Sequence, residues 1–472
     1  MTITRRGFLS ASAAIAALPA FPGRVLAAAP PPREADIVVI GAGAAGIAAA
    51  RRIAAAGRKV IVLEADSRIG GRCVTDSTSF EVPFDRGARW LHNPDSDPLL
   101  KLGRAAGLDV APVTVGQKIR IGRRFARPGE TEELLAILVR ANRAIDEAAH
   151  GRLDTSCASA LPKDLGDWTA TAEFVLGPSA YGKDLKDISA MDKAHAQDRS
   201  PTVACREGLG TLIAKLAESL PVSLSTPANR VIWSNRDVAV ETPSGKIAAR
   251  AAIITVSSNV LTSGAIKFTP DFPRRQLDAA GKLSLGSYDR IALQLPGNPT
   301  GLARDEMLIE QSSSTRTAVM LGNVSGSSLC VIDVAGSFGS DLSTQGEQAM
   351  AAFAREWLAK LFGSETAAMV KKTSVTRWNA SPYVLGAMSV ATPGAQPSRK
   401  ILTEPVGSIF LAGEATHETL WGTVDGAWES GERAAEAALR KIGAIREEPV
   451  EAPARPARTH RRAPPRRTSP FY

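Results

Sequence analysis

Three glycines constrain this chain more than any other feature. Gly41, Gly43 and Gly46 form the pattern G-x-G-x-x-G directly after the apolar run "DIVVI" at 36–40. An Ala-rich stretch continues to about Ala56, Gly57 interrupts it, and "KVIVLE" runs on to Glu64. Strand, tight turn, helix and second strand fill about 30 residues, the span of a dinucleotide-binding βαβ unit. Gly41 permits the turn. Gly43, with Ala45 two residues on, lets amides at the helix N-terminus approach a pyrophosphate, and Gly46 lets helix and strand pack closely. Glu64, followed by Ala65, ends the second strand, where a carboxylate can accept both ribose hydroxyls and would repel a 2′-phosphate. The expected fold is α/β, with a Rossmann-like domain at its centre.

The unit alone suits a nicotinamide enzyme as well as a flavin enzyme, so the residues behind it decide. In "RIGGR" at 68–72, two glycines place the Arg72 guanidinium beside the pyrophosphate. In "FDRGARWLH" at 84–92, Gly87 and Ala88 let the backbone run close to a flat ring system that Trp90 can wall. Nicotinamide dehydrogenases have no need of either segment at this place.

The net charge of +9 raises nucleic-acid binding, but its distribution argues against it. Arg5, Arg6 and Arg24 are the only charges in 1–29, and six arginines, with no acid, lie in 452–472. Residues 30–451 are therefore neutral overall. "TRRGFL" at 4–9, the weakly apolar stretch behind it and the small residues Ala27–Ala29 match a bacterial twin-arginine export signal over 1–29. Such a signal implies the twin-arginine translocase as a partner and a periplasmic or secreted destination. The Pro/Arg-rich stretch 447–472 reads as a disordered tail. No apolar run reaches the roughly 18 residues of a membrane span. Cys73, Cys157, Cys205 and Cys330 form no CxxC pair and share no ligand spacing with the histidines, so no metal site is expected. A disulfide among them is open but unassignable from sequence.

Coarse periodicity predicts helices over 131–149, 208–220 and 424–442, and three short strands within 229–256.

The chain resembles the flavin-containing amine oxidase family from about residue 35 to 442. The likeness is carried by "GAGAAG" with Glu64, "RIGGR", "GARW" (87–90), "RVIW" (230–233), "SGAIKFTPDFP" (263–273), "TRWNASPYVLGAMS" (376–389) and "LAGEATHETLWGTVDGA" (411–427), all in the family's order. The resemblance implies a two-domain FAD-dependent oxidoreductase. Its FAD-binding domain would comprise 34–115, 206–261 and 396–443. An α+β substrate domain with a mixed sheet would comprise 116–205 and 262–395. FAD would be bound without a covalent link, because Ala387 replaces the cysteine that some relatives attach to flavin. Gly41, Gly43, Gly46, Glu64 and Arg72 would hold adenosine and pyrophosphate, and the Val231 backbone would meet adenine. Gly87, Ala88, Arg89 and Trp90 would lie along the flavin, with solvent as the alternative for Arg89. Gly413 and Glu414 would face the ribityl–phosphate region. Thr423 and Val424 would bring a helix N-terminus to the flavin N1–C2 edge, where its partial positive charge stabilises the reduced ring.

Three departures from the family bear on function. Arg290, in "DRIALQL" (289–295), stands where many members carry a lysine near flavin N5; arginine stays protonated there and differs in reach. A salt-bridge role is the alternative for it. Met388 and Thr423 occupy the places of two aromatic rings that flank the amine in many relatives. Trp421, Trp378 and Tyr383 are the remaining aromatic candidates. The expected reaction takes a hydride equivalent from the carbon beside an uncharged amine to flavin N5. An imine is released and hydrolyses, and dioxygen is reduced to hydrogen peroxide. The alternatives are an L-amino-acid oxidase with Arg290 on the substrate carboxylate, an amine dehydrogenase using another acceptor, and a flavoprotein without amine turnover.

Overall fold

The computed structural model describes residues 33–95 and 97–445. The expected export segment and basic tail lie outside the described residues.

Two strands, β1 (Ile37–Ile40) and β2 (Val60–Leu63), consist only of Val, Ile and Leu and are buried throughout. That composition belongs to parallel strands covered on both faces. They pair in parallel from Ile37–Val60 to Ile40–Leu63, joined by α1 (Ala44–Ala55). The parallel strands Val222–Ser223, Ala251–Ile254 and Ile409–Leu411 complete a five-stranded sheet with β1 at its centre. One face, including Ile37, Val39 and Val62, packs against α1 and α2 (Val424–Lys441). α1 and α2 approach so closely that a Cβ on Gly431 would stand 2.1 Å from the Ala45 carbonyl oxygen.

The opposite face, through Val38, Ile40, Ile61 and Leu63, shares its core with a four-stranded sheet. Here the chain forms four strands within 229–256 instead of three. "GKIAA" pairs back on Val238–Thr242 as the strand Gly245–Ala249. Gly, Lys and Ala are poor strand formers, so only Ile247 and Ala249, buried on one side, mark it. Ala251–Ile254 leaves this hairpin for the five-stranded sheet.

A seven-stranded mixed sheet lies across 117–125 and 288–375. Its strands β3 (Tyr288–Gln294) and β4 (Leu329–Ala335) are antiparallel, which sets Arg290 directly opposite Asp333. The strands Glu306–Glu310 and Gln117–Ile121 run parallel. The first predicted helix begins three residues early, at Pro128, because Pro suits the first helical turn and the Glu130 carboxylate accepts the Arg127 amide at 2.7 Å. The second spans Leu209–Ala217. All four cysteines are buried and unpaired. Among the described residues no helix is long and apolar enough to cross a membrane.

Candidate active site

One cavity of about 700 Å3 runs from the glycine-rich turn after β1 to the inner face of the seven-stranded sheet. At its first end, the Gly46 Cβ position would lie 1.9 Å from the Gly41 carbonyl oxygen, and the Gly41 Cβ position 2.5 Å from Thr255 Oγ1. Those two glycines are required by the protein's own packing. Gly43 is different. Its φ is −78°, and a Cβ there would meet nothing closer than 3.8 Å. The space a side chain would fill belongs to the cavity, in front of the uncapped N-terminus of α1. A phosphate group suits such a place, where free amides and the helix dipole both favour an anion. Glu64 lies at the same end. Burial raises its pKa, and it accepts the amides of Ala42 at 2.6 Å and Asp66 at 2.8 Å.

In the middle of the cavity, Gly87 is pinned from two sides. A Cβ there would lie 1.8 Å from the Arg72 carbonyl oxygen and 3.0 Å from Trp378 Cζ2. Ala88, Trp90 and Trp378 line the wall beside it. Arg72 Nη1 donates to Glu414 Oε1 at 2.8 Å and to the Ala387 carbonyl at 2.5 Å. Glu414 also accepts from Ser389 Oγ at 2.6 Å and the Gly422 amide at 2.8 Å. Burial disfavours its charge, yet the Arg72 cation and these hydrogen bonds outweigh it and hold the carboxyl below its ordinary range. The N-terminus of α2 reaches the cavity through Thr423 and Val424. The Thr423 hydroxyl accepts the Gly426 amide at 2.9 Å and donates to the Leu420 carbonyl at 2.7 Å, so it caps the helix.

At the inner end, β3 alternates Tyr288 and Arg290 toward the cavity. Asp333 on β4 binds both of these residues and Arg89. Arg89 Nη2 donates to Oδ2 at 2.8 Å, the Tyr288 hydroxyl donates to the same oxygen at 2.8 Å, and Arg290 Nε lies 3.4 Å from Oδ1. Arg290 also donates to the Asp85 carbonyl. Burial and the neighbouring Arg89 charge lower its pKa to about 10, against the pull of Asp333. His92 lines the cavity with Nδ1 2.9 Å from Asp425 Oδ2, on the first turn of α2.

Of the residues singled out in the sequence, Gly41, Gly43, Ala45, Glu64, Ala65, Arg72, Gly87, Ala88, Arg89, Trp90, Arg290, Trp378, Met388, Gly413, Glu414, Thr423 and Val424 line this cavity together. Gly46, Val231 and Trp421 do not. Gly46 is packed under the turn. Val231 is fully buried in Arg230–Trp233, and Pro227, Ala228 and Asn229 line the cavity just before that strand. Trp421 is also fully buried, its ring tilted against that of Tyr181 at 5.2 Å between centroids, so it forms no wall for a substrate. Arg89 does not point to solvent; its side chain is 9% exposed and paired with Asp333. The sequence reading missed Arg199, Tyr288, Asp333 and His92. Strand alternation from Arg290 would have pointed to Tyr288; Asp333 and Arg199 arrive by tertiary placement and carry no local signal.

Fold and site together define a dinucleotide-binding oxidoreductase whose cradle opens into a second, aromatic and arginine-lined chamber. The chain belongs to the flavin containing amine oxidoreductase family, whose model matches residues 44–134 and 174–439. It is 28% identical over 425 residues to lysine-specific histone demethylase 1B of Mus musculus, covering 80% of this chain and 50% of that protein. The chain thus spans about half the length of that relative. To polyamine oxidase 5 of Oryza sativa subsp. japonica it is 28% identical over 430 residues, covering 82% of this chain and 84% of that one. Among solved structures, cyclohexylamine oxidase from Brevibacterium oxydans has a TM-score of 0.73 at 19% identity, covering 87% of this chain and 99% of that one. Putrescine oxidase bound to putrescine gives 0.72 at 20%, covering 86% and 99%. The fold is that of the two-domain FAD-dependent oxidoreductases, and the cofactor is the family's flavin, FAD.

Proposed function

We propose that this chain is an FAD-dependent amine oxidase. The observation that carries the reading is the continuous cavity joining the open space at Gly43 to a chamber walled by Trp90, Trp378, Tyr288 and Met388. A nucleotide-only site would end at the ribose. This one continues into a second chamber lined by Trp90, Trp378 and Tyr288, the kind of wall a planar ring system packs against.

In this reading Gly41, Gly43 and Ala45 offer backbone to the pyrophosphate, Glu64 takes the ribose hydroxyls, and Gly87–Trp90 runs along the ring system. FAD supplies two-electron redox chemistry at the carbon–nitrogen bond of an amine, giving an imine that hydrolyses, with dioxygen as final acceptor and peroxide as product. The chain's own contribution is placement and field. The N-terminus of α2 directs about half a positive charge into the cavity at Thr423 and Val424. The Arg72–Glu414 pair fixes the Ala387–Ser389 segment against the cavity. Ala387 has no nucleophilic side chain, which supports non-covalent binding of the cofactor. Export through the twin-arginine translocase to the periplasm or beyond belongs to the same proposal and is supported by the sequence of 1–29.

The test is anaerobic addition of primary, secondary, poly- and amino-acid amines to the purified yellow protein. At least one class is expected to bleach the visible flavin band, with peroxide appearing once air is admitted. A flavin band that none of these classes bleaches would end the oxidase reading.

A further inference from the structure

Six arginines line the cavity: Arg68, Arg72, Arg86, Arg89, Arg199 and Arg290. Four of them are ion-paired. Arg68 meets Asp66 at 3.2 Å, Arg72 meets Glu414, and Arg89 and Arg290 share Asp333. Arg86 has no carboxylate, but it donates to the Val375 carbonyl at 3.0 Å and Ser374 Oγ at 3.2 Å.

Arg199 stands apart. Among the described residues it has no ion-pair partner, and its one hydrogen bond runs from Nη2 to the Trp421 carbonyl at 2.7 Å. Its Nε is buried and meets no acceptor. Burial lowers its pKa, so the charge is costly where it stands. The carboxylates whose field it feels, Glu414 and Asp425, are engaged by Arg72, Ser389 and Gly422, and by His92.

The guanidinium is also held in orientation. It lies 5.1 Å from the Trp421 ring centroid and 5.5 Å from that of Tyr181. Arg399 meets the same Trp421 ring at 4.6 Å, but it is neutralised by Asp192 through two hydrogen bonds of 2.7 Å. One cation at this aromatic cluster is therefore compensated and the other is not. The uncompensated one borders the cavity, next to the Trp421–Thr423 segment that leads into the N-terminus of α2. Met388 closes over the same segment, 3.5 Å from the Gly422 Cβ position.

A planar guanidinium oriented by two aromatic rings, bordering the cavity and without a carboxylate partner among the described residues, suits a carboxylate. Arg290, the sequence candidate for this role, is already committed to Asp333 and the Asp85 carbonyl. A polycationic amine, by contrast, would bring like charge against Arg199. We propose that the amine taken by this site carries a carboxylate, as an amino acid does, and that Arg199 binds it. This rests on the amine-oxidase reading for turnover, but carboxylate binding can be tested without turnover.

The experiment uses holoenzyme in two arms. First, amino acids and the amines left by their decarboxylation, phenylalanine with phenethylamine and leucine with isoamylamine, are compared by anaerobic flavin bleaching. The amino acid is expected to act at concentrations about 10- to 100-fold lower, the range of a charge-assisted hydrogen bond, and Arg199→Met should abolish that preference while keeping its flavin. Second, benzoate is titrated into the oxidised enzyme while the flavin spectrum is followed; the wild type should respond and Arg199→Met should respond about 10-fold more weakly or not at all, with Arg199→Lys between them. If neither amine type bleaches the flavin but benzoate binds through Arg199, the oxidase reading fails and the anion site stands. Equal use of both members of each pair, absence of benzoate binding, or loss of flavin from Arg199→Met would overturn the proposal.

Discussion

Arg290 and Asp333 face each other across β3 and β4, Nε to Oδ1 at 3.4 Å, and the same carboxylate holds Arg89 and Tyr288. This cluster has two cations, one anion and a phenol, all in contact and largely shielded from water. It explains how an arginine is kept at a place inside an apolar sheet. Asp333 is the hub, so removing it leaves two buried guanidinium groups without their counter-ion.

Asp333→Ala is expected to lower unfolding stability by about 3–5 kcal/mol, the usual cost of breaking a buried pair from one side. The comparison is Arg143→Ala, which removes a pair whose side chains are 80% and 68% exposed and should cost less than about 0.5 kcal/mol. Urea midpoints of the two variants measure the difference. Similar midpoints would mean that Asp333 does not hold the cluster together.

Gly43 and Gly46 separate cofactor binding from folding. Gly46→Ala drives a methyl group to 1.9 Å from the Gly41 carbonyl oxygen and is expected to prevent accumulation of folded protein. Gly43→Ala meets nothing within 3.8 Å and keeps an ordinary backbone conformation. It should fold, with an apo-protein melting temperature within a few degrees of wild type, yet retain much less flavin. Flavin-to-protein absorbance ratios and melting curves of apo-protein decide this. Full flavin in Gly43→Ala would remove the phosphate from that space.

Much of this was legible because the nucleotide cradle is local chemistry. A glycine pattern, two apolar strands and an acid at a strand end lie within one stretch of chain, and periodicity finds them. The flavin-facing segments are also short and contiguous. The inner chamber is different. Asp333 reaches Arg290 through strand register, Arg199 reaches Trp421 from a segment with no regular structure, and neither relation leaves a spacing to read. Trp421 shows the converse limit. Its proximity in sequence to Thr423 suggests a substrate wall, but two residues are enough to turn a side chain into the core.

Glu64 ties flavin affinity to pH. Burial raises its folded pKa above its ordinary value, so without ligand the protonated form persists to higher pH than in the unfolded chain. Ribose hydroxyls donate to the ionised form and favour it. Flavin should therefore be held more weakly as pH falls through that raised pKa, and Glu64→Gln should flatten the profile while weakening binding about 10-fold at neutral pH. Flavin fluorescence on release, followed across pH 4 to 8, is the measurement; the same acid sensitivity in both proteins would show that another group governs release.

Asp97 gives the clearest effect of pH on stability. It is 3% exposed, and burial together with the Asp425 carboxylate raises its pKa from 3.8 to about 8. In the folded protein it therefore keeps its proton at pH 7, whereas in the unfolded chain it loses it near pH 4. Unfolding releases a proton throughout that window, so this group's contribution is fully present below about pH 4 and is lost as pH rises to about 8. Above that it stays level. Asp97→Asn keeps the acceptor that caps the Leu99 amide at 2.8 Å and resembles the protonated acid in shape. The variant should match wild type near pH 4 and exceed it by at least about 1 kcal/mol at pH 8 to 9, since a tenfold difference in proton affinity between the folded and unfolded chain corresponds to about 1.4 kcal/mol. Urea unfolding at pH 4, 6 and 8.5 tests this, and a stability difference that does not grow with pH would place the titration elsewhere.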